Sequence, residues 1–161
     1  MAQNPSIRFL VVDDFTTMRR ILRNLLTELG FRQVDEASDG RVALEMLREA
    51  AYDFVISDIN MPRLGGYELL QQIRADAMLQ SLPVLLVTSE ANKDDVLQAI
   101  RLGANGTILK PLTKSSLEEK VRNILLRSSA WPSSPAPRTP AASPSKPALP
   151  RILPNATPRG A

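Results

Sequence analysis

Five polar residues in this sequence have side chains suited to chemistry, and each stands at the end of a short apolar run. They are Asp13, Asp14, Asp58, Thr88 and Lys110. Three carboxylates in one cleft repel one another unless a cation lies between them, and Mg²⁺ accepts all-oxygen ligation with room for water. Lys110 supplies a fixed positive charge and Thr88 a hydroxyl donor, which a bound phosphoryl group requires. The residue types therefore predict a magnesium-dependent phosphoryl site, if the fold brings them together.

Two missing residue types exclude other kinds of site. The chain has no histidine and no cysteine. Imidazole bases, Ser-His-Asp triads, thiolate nucleophiles and cysteine- or histidine-bound zinc are therefore excluded. Any chemistry must use carboxylates, lysine, hydroxyl groups and the backbone. The absence of cysteine also fits a reducing compartment.

Apolar runs and helical periodicity alternate along about the first 125 residues. Five runs have the length and β-branched content of buried strands: 7–12, a weaker one around 31–34, 54–56, 83–87 and 107–109. Between and after them, apolar residues recur at spacings of three and four, with Gly30 and Gly103 as helix stops and Thr113 or Ser115 as a cap. This order predicts an α/β fold, with a doubly wound parallel sheet of five strands and helices on both faces.

In such a sheet the carboxyl ends of the strands share one edge, where ligands collect. The five polar residues should therefore converge. Each also has a purely structural explanation: Asp14 can cap the helix beginning near Thr16, Thr88 can cap the fourth helix, Asp58 can open a turn, and Lys110 can be an ordinary exposed lysine. Their joint occurrence at strand ends favours a site.

The composition changes near residue 128. Residues 1–127 hold all 17 acidic and 16 basic residues, a net charge of −1, whereas residues 128–161 hold four basic residues and no acid. The second segment also contains nine prolines set among alanine, serine and threonine. Such spacing opposes helix and central strand, so we predict a domain at 1–127 and a disordered, basic Pro/Ala/Ser-rich tail at 128–161.

The charge pattern and the N-terminal residues indicate which partners and which cellular location to expect. The pI of about 9.6 comes from the tail and does not describe a basic face on the folded body, so direct DNA binding is not expected. Residues 1–6 are polar, and the following apolar run is interrupted by Arg8. The pattern predicts neither a signal peptide nor a membrane span, and a cytoplasmic location is expected.

Four runs resemble a known family in order and spacing. They are FLVVDDFTTMRR, VISDINMP, PVLLVTSE and LKP, at residues 9–20, 55–62, 83–90 and 109–111. Together they resemble receiver domains, most closely the CheY-like chemotaxis response regulators, over roughly residues 6–127. The resemblance implies the flavodoxin-like (βα)₅ receiver fold and a stand-alone signalling switch of a two-component system. It is not expected to be an enzyme beyond Mg²⁺-dependent phosphorylation and dephosphorylation of itself.

The resemblance also implies roles for individual residues. Asp58 would accept a phosphoryl group from a histidine kinase, as a nucleophilic carboxylate. Asp13, Asp14 and Asp58, with the backbone carbonyl of Asn60, would hold Mg²⁺. Lys110 would pair with a phosphoryl oxygen.

Further roles implied by the resemblance concern the phosphorylated state. The Thr88 hydroxyl would move to bond the phosphoryl group. Asn60 and Glu90 would tune the attack of water on the acyl phosphate. The bond from Lys110 to Pro111 would be cis.

The output surface departs from the family pattern at one position. The resemblance places a downstream partner on the face of the fourth helix, fifth strand and fifth helix, which includes Lys93 and Lys120. Receivers of this group usually carry an aromatic residue three positions before the lysine, where this chain has Thr107. Because that aromatic ring is a large apolar anchor, its loss reshapes the face. A phosphorelay intermediate or a phosphate sink for a kinase therefore stands as an alternative to motor control.

Two other classes of protein are alternatives to the switch. A haloacid-dehalogenase-like phosphatase also uses an aspartate nucleophile and Mg²⁺, but its two aspartates lie two residues apart, whereas Asp13 and Asp14 are adjacent. A pure interaction module with a degenerate site is disfavoured because every acceptor residue is present.

Overall fold

A computed structural model describes residues 6–89 and 93–127. Strands and helices alternate through it in this order: β1 Arg8–Val12, α1 Thr16–Glu28, β2 Gln33–Ala37, α2 Gly40–Glu49, β3 Phe54–Asp58, α3 Gly66–Ala75, β4 Val84–Thr88, α4 Lys93–Arg101, β5 Gly106–Leu109 and α5 Lys114–Arg127. All strand pairs are parallel, and the order across the sheet is β2-β1-β3-β4-β5. The predicted fold class is confirmed. None of the helices in the described part combines the length and apolar composition that a bilayer crossing requires.

The sheet separates two hydrophobic cores. Successive residues of a strand point to opposite faces, so Phe9 and Val11 join one core and Leu10 and Val12 the other. The first core is closed by α1 and α5, and the second by α2, α3 and α4. Because β1, β3 and β4 are covered on both faces, they read in the sequence as continuous apolar runs.

The second strand lies further along the chain than its predicted position. It runs from Gln33 to Ala37, not around 31–34. Phe31 precedes the strand and is buried in the core, with its ring centroid 4.7 Å from that of Phe9. Since β2 is an edge strand with half-buried Asp35 and Glu36, it lacks the apolar run by which the other strands are recognised.

Helix ends agree with the sequence pattern in two places and differ in one. Gly30, directly after the α1 C-cap, has a φ of 100°, a conformation that glycine adopts without strain. The Thr113 hydroxyl accepts a hydrogen bond from the Ser116 N–H at 3.1 Å at the start of α5. The structural explanation of Asp14 as the cap of α1 is wrong, because Phe15 holds that position and no side chain caps the helix.

Candidate functional site

The carboxyl ends of four adjacent strands assemble the candidate site. Asp13 and Asp14 follow β1 directly, Asp58 is the last residue of β3, and Thr88 is the last residue of β4. Lys110 follows β5, and its backbone N–H donates to the Thr88 carbonyl at 2.8 Å. Parallel pairing thus brings residues that are distant in sequence to one edge of the sheet, as the alternation of strands and helices predicted.

Three carboxylates form a compact oxygen cluster at this edge. One oxygen each from Asp13, Asp14 and Asp58 lies within 4.8 Å of the others. Asp13 is 1% exposed and Asp58 is 8% exposed. Across residues 6–89 and 93–127, the buried side-chain atoms without a hydrogen-bond partner are Asp13 Oδ2 and Asp14 Oδ1. Buried acceptors without donors are costly, and a divalent cation would satisfy both.

The acidity of Asp13 reflects this crowding. Burial raises the pKa of its carboxyl, and the neighbouring charges of Asp58 and Asp14 raise it further. The Phe15 N–H, which donates to Asp13 Oδ1 at 2.9 Å, and the Lys110 ammonium act in the opposite direction without cancelling the rise. The cluster therefore holds more negative charge than its protein partners neutralise, and it fits Mg²⁺ by its donor set.

The Lys110 ammonium is the cation that the protein itself provides. Its Nζ lies 2.9 Å from Asp58 Oδ1 and 3.7 Å from Asp13 Oδ2. Burial works against the charged form, but the hydrogen bond to Asp58 and the two carboxylate charges leave the pKa of Lys110 raised. Lys110 is therefore protonated at neutral pH. The Lys110–Pro111 bond is cis, as the resemblance implies.

Asp58 is held by two different donors. Oδ1 forms an ion pair with the Lys110 ammonium, and Oδ2 accepts a hydrogen bond from the backbone N–H of Asn60 at 3.1 Å. The second bond closes a turn through the aspartate side chain, so the turn that could have explained Asp58 is present alongside the ionic cluster. Both oxygens are therefore held in place by a donor.

The comparisons with known proteins agree with this geometry. A family model described as the response regulator receiver domain matches residues 9–122. The chain belongs to the response regulator receiver family. It is 48% identical over 124 residues to chemotaxis protein CheY-3 of Vibrio cholerae, covering 77% of this chain and 95% of that protein. It is also 48% identical over 121 residues to chemotaxis protein CheY of Pseudomonas aeruginosa, covering 75% and 98%.

A solved structure shows the same fold. Chemotaxis protein CheY4 of Vibrio cholerae matches with a TM-score of 0.70 at 30% identity, covering 74% of this chain and 98% of that one. The chain is thus a phosphorylation-dependent response regulator of a two-component system. Receivers of this type are signalling switches that bind Mg²⁺ and interact with histidine kinases and downstream targets in general. The family match decides against the haloacid-dehalogenase-like phosphatase.

The receiver's remaining predicted residues belong to β4, β5, α4 and α5 or lie outside the described part of the chain. Thr107 is half-buried within β5, opposite Leu86 of β4. Lys93 begins α4 and Lys120 lies on α5, both exposed. Thr88 is 6% exposed at the end of β4, and Glu90 lies outside the described residues.

Two arginines beside the receiver's site were missed by the sequence analysis. Arg19 Nη1 donates to the Asp13 carbonyl at 2.6 Å, and its Nε donates to Glu36 at 3.1 Å. Arg63 donates from Nε and Nη2 to Asp39. The dipeptide of Asp39 and Gly40 before an apolar-periodic segment signals a helix cap, but no local pattern pairs Asp39 with a residue 24 positions away.

Proposed function

We propose that this receiver accepts a phosphoryl group on Asp58 from a histidine kinase and acts as the stand-alone switch of a chemotaxis-type pathway in the cytoplasm. The observation that carries the proposal is the position of Asp58. Its carboxylate lies 2.9 Å from the Lys110 ammonium and shares an oxygen cluster with Asp13 and Asp14. A nucleophile, a fixed cation and a cation-binding cluster are the parts that phosphoryl transfer needs.

Phosphoryl transfer begins at the Asp58 carboxylate. A carboxylate oxygen attacks the phosphorus of a phosphohistidine, the O–P bond forms as the P–N bond breaks, and the imidazole leaves with a proton. Both Asp58 oxygens accept hydrogen bonds in the unphosphorylated protein, so the carboxylate is oriented before the phosphohistidine arrives. Attack by water reverses the modification and gives inorganic phosphate.

Asp13, Asp14, Asp58 and the backbone carbonyl of Asn60 would hold Mg²⁺. When bound, Mg²⁺ neutralises charge on the transferring phosphoryl group. The buried Asp13 Oδ2 and Asp14 Oδ1 support this assignment, because neither accepts a hydrogen bond in the described residues and the Lys110 ammonium lies no closer than 3.7 Å to Asp13 Oδ2.

The other polar residues bind the phosphoryl group or control how fast water removes it. Lys110, protonated and oriented by Asp58, pairs with a phosphoryl oxygen. The Thr88 hydroxyl, at the end of β4, donates a hydrogen bond to another phosphoryl oxygen. Its movement toward the phosphoryl group alters the contacts of β4 with β5, which pairs with it. Asn60 and Glu90 stand two residues after Asp58 and Thr88, where they govern access of water.

The output surface is the face formed by α4, β5 and α5, with Lys93, Lys120 and Thr107. We propose that a downstream protein binds there and that the switch contacts neither DNA nor membrane directly. A second candidate, a phosphorelay intermediate or phosphate sink, is favoured by Thr107, whose short side chain cannot supply the apolar anchor of an aromatic ring.

The test of the proposal is Asp58→Asn in the full chain, treated with acetyl phosphate and Mg²⁺. The amide keeps the shape and removes the nucleophile, so we expect no phosphoryl adduct by intact mass and an unchanged circular dichroism spectrum. Asp94→Asn, at an exposed carboxylate of α4, serves as the control and should be modified at the wild-type rate. An adduct on the Asp58→Asn protein at that rate would remove Asp58 from its role.

The output face is tested with Thr107→Tyr. The position lies on β5, outside the cluster that holds Asp58, so phosphorylation should continue at the wild-type rate. Binding of the beryllofluoride-activated protein to its downstream partner should change. Equal loss of phosphorylation and partner binding would show that site and output are not separable.

A further inference from the structure

The loop between β3 and α3 carries Asn60 and lies against the start of α2. An open pocket of about 460 Å³ lies along this loop and the first turn of α3. The loop is closed on itself by two short bonds, from the Gly66 N–H to the Ile59 carbonyl and from the Leu64 N–H to the Pro62 carbonyl, both at 2.8 Å.

Two contacts fasten this loop to α2. The Gly40 N–H donates to the Leu64 carbonyl at 3.0 Å, and a Cβ at position 40 would lie 2.6 Å from that carbonyl oxygen. The second contact is ionic. Arg63 donates from Nε to Asp39 Oδ2 at 2.9 Å and from Nη2 to the same oxygen.

Asp39 is an unusually firm anchor for an exposed arginine. It is 1% exposed, and its Oδ1 accepts the N–H groups of Arg41 at 2.8 Å and Val42 at 3.1 Å as the cap of α2. Its Oδ2 is left for Arg63. Burial raises the pKa of Asp39, but the bonds from Arg63 and from the two backbone amides leave the pKa lowered. A buried carboxylate with fixed donors on both oxygens holds its partner in place.

The backbone of Arg63 is itself in a demanding conformation. Its φ is +66°, the one positive value at a non-glycine position within the described residues. Arginine has no local reason to adopt the left-handed region, in which asparagine and glycine are favoured. The strained conformation is held because the guanidinium reaches Asp39 from there.

We propose that Arg63 is a positioning residue for the phosphoryl site, acting through Asp39 to hold the loop that carries Asn60. The inference rests on the proposed function, in which the Asn60 carbonyl completes the Mg²⁺ site. With the far side of the loop fastened to α2, the Asn60 N–H stays on Asp58 Oδ2 and its peptide group keeps one orientation. Groups that orient a metal's ligands alter affinity without touching the metal.

The test is calorimetric titration of the full chain with Mg²⁺ alone. Arg63→Asn removes the guanidinium but keeps a residue that accepts positive φ, so it separates the ionic contact from backbone strain. Asp39→Asn removes the charge and keeps a good helix cap. The control is Arg41→Asn, which deletes an equal charge from an exposed side chain in the same turn as the cap.

For Arg63→Asn, charge alone predicts the opposite sign from the proposal, whereas for Asp39→Asn the loss of a negative charge predicts weaker binding as well, so the Arg63 variants carry the test. Loss of a positive charge near an acidic site strengthens cation binding, as expected for Arg41→Asn. We expect both Arg63→Asn and Asp39→Asn to weaken Mg²⁺ binding roughly tenfold, the double variant to add little further, and Arg63→Lys to recover part of the loss. The Asn60 amide resonance should broaden or shift in the two single variants and not in Arg41→Asn.

Wild-type or tighter Mg²⁺ binding by folded Arg63→Asn would overturn the inference, and so would additive losses in the double variant. If Arg63→Asn melts below the titration temperature, Arg63→Lys decides the outcome because it keeps the charge: weaker Mg²⁺ binding than wild type supports the inference, and wild-type or tighter binding overturns it. Failure of the proposed function is distinguishable, since it would appear as phosphorylation of Asp58→Asn, whereas failure here leaves that result unchanged.

Discussion

The amino and carboxyl ends of the parallel strands form two edges of the sheet, and charged side chains are satisfied at the first and crowded at the second. At the amino edge, Arg74 of α3 has no carboxylate in its described bonds and donates to backbone and amide oxygens of four residues in two loops. Its acceptors are the carbonyls of Gly103, Gln80 and Leu82 and the side chain of Asn105, at distances from 2.7 to 3.1 Å. Burial lowers the pKa of Arg74, and the bonds compensate for the desolvation of its charge.

At the carboxyl edge, charges of like sign are placed together and left short of partners. Asp13 and Asp14 each have a buried oxygen without a donor among the described residues, and the pKa of Asp13 is raised by burial and by its neighbours. The amino edge is therefore arranged for stability, whereas the carboxyl edge gives up stability by crowding carboxylates, which the proposed function uses to bind a cation and a phosphoryl group.

Arg74→Ala should show the largest stability effect at the amino edge. The carbonyls of Gly103, Gln80 and Leu82 lose the guanidinium together, so we expect the free energy of unfolding in urea to fall by about 2–3 kcal/mol. Phosphorylation by acetyl phosphate should keep its wild-type rate under native conditions, because Arg74 lies at the other end of the strands. Arg101→Ala, at the exposed end of α4, is the matched control and should change stability little. A lower phosphorylation rate in folded Arg74→Ala would break the separation of the two edges.

Asp14→Ala should act in the opposite direction at the carboxyl edge. Without metal, removal of a crowded carboxylate should raise the free energy of unfolding by about 1 kcal/mol, since a buried acceptor without a donor is eliminated. Mg²⁺ binding should weaken by about tenfold or more, because a ligand and a charge are lost. Calorimetric titration and urea unfolding in chelator measure the two effects. A metal titration unchanged by the substitution would remove Asp14 from direct contact.

Glu36 is a carboxylate whose two oxygens both accept hydrogen bonds from arginines, unlike the carboxylates of Asp13 and Asp14. It therefore tests how much such bonds contribute to stability near the carboxyl edge. Burial raises its pKa, but hydrogen bonds from Arg23 and Arg19 leave the pKa below its usual 4.5. A carboxyl with a lowered folded pKa stabilises the protein above its unfolded pKa, and that contribution disappears as the pH falls through the folded value. Glu36→Gln should cost about 1 kcal/mol at pH 7 and progressively less below about pH 4.5. Unfolding free energies of both proteins from pH 7 to 3 measure this, and a constant difference would contradict the assignment.

Truncation after Arg127 should have the smallest effect. The sequence of 128–161 offers few large apolar residues and no acid, so it is predicted to bury little surface on the domain. Melting temperature and phosphorylation rate should match those of the full chain. A cooperative loss of stability on truncation would contradict this prediction. It would indicate that the tail packs on the domain near the amino edge, where α5 ends with Ile124 beside Gly106 of β5.

Most of the fold was predictable because it depends on local periodicity. Buried parallel strands read as apolar runs, helices show spacings of three and four, and their alternation leaves one topology class. The position of β2 was not predictable to the residue, since an edge strand shows half-buried charges and Phe31 belongs to the core without belonging to a strand.

The sequence by itself determined which candidate residues meet at the carboxyl edge. Asp13, Asp14, Asp58, Thr88 and Lys110 stand at strand ends, and parallel pairing requires those ends to share an edge. No contact distance had to be known for that conclusion, because it follows from chain direction and strand length alone.

Only the tertiary structure decided how the site is held. The contact of Arg63 with Asp39, the bond from Arg19 to the Asp13 carbonyl and the two oxygens left without donors depend on how loops and helices pack across the sheet edge. These contacts join positions with no fixed sequence spacing. Their energies depend on burial, which periodicity assigns to a face but not to an atom.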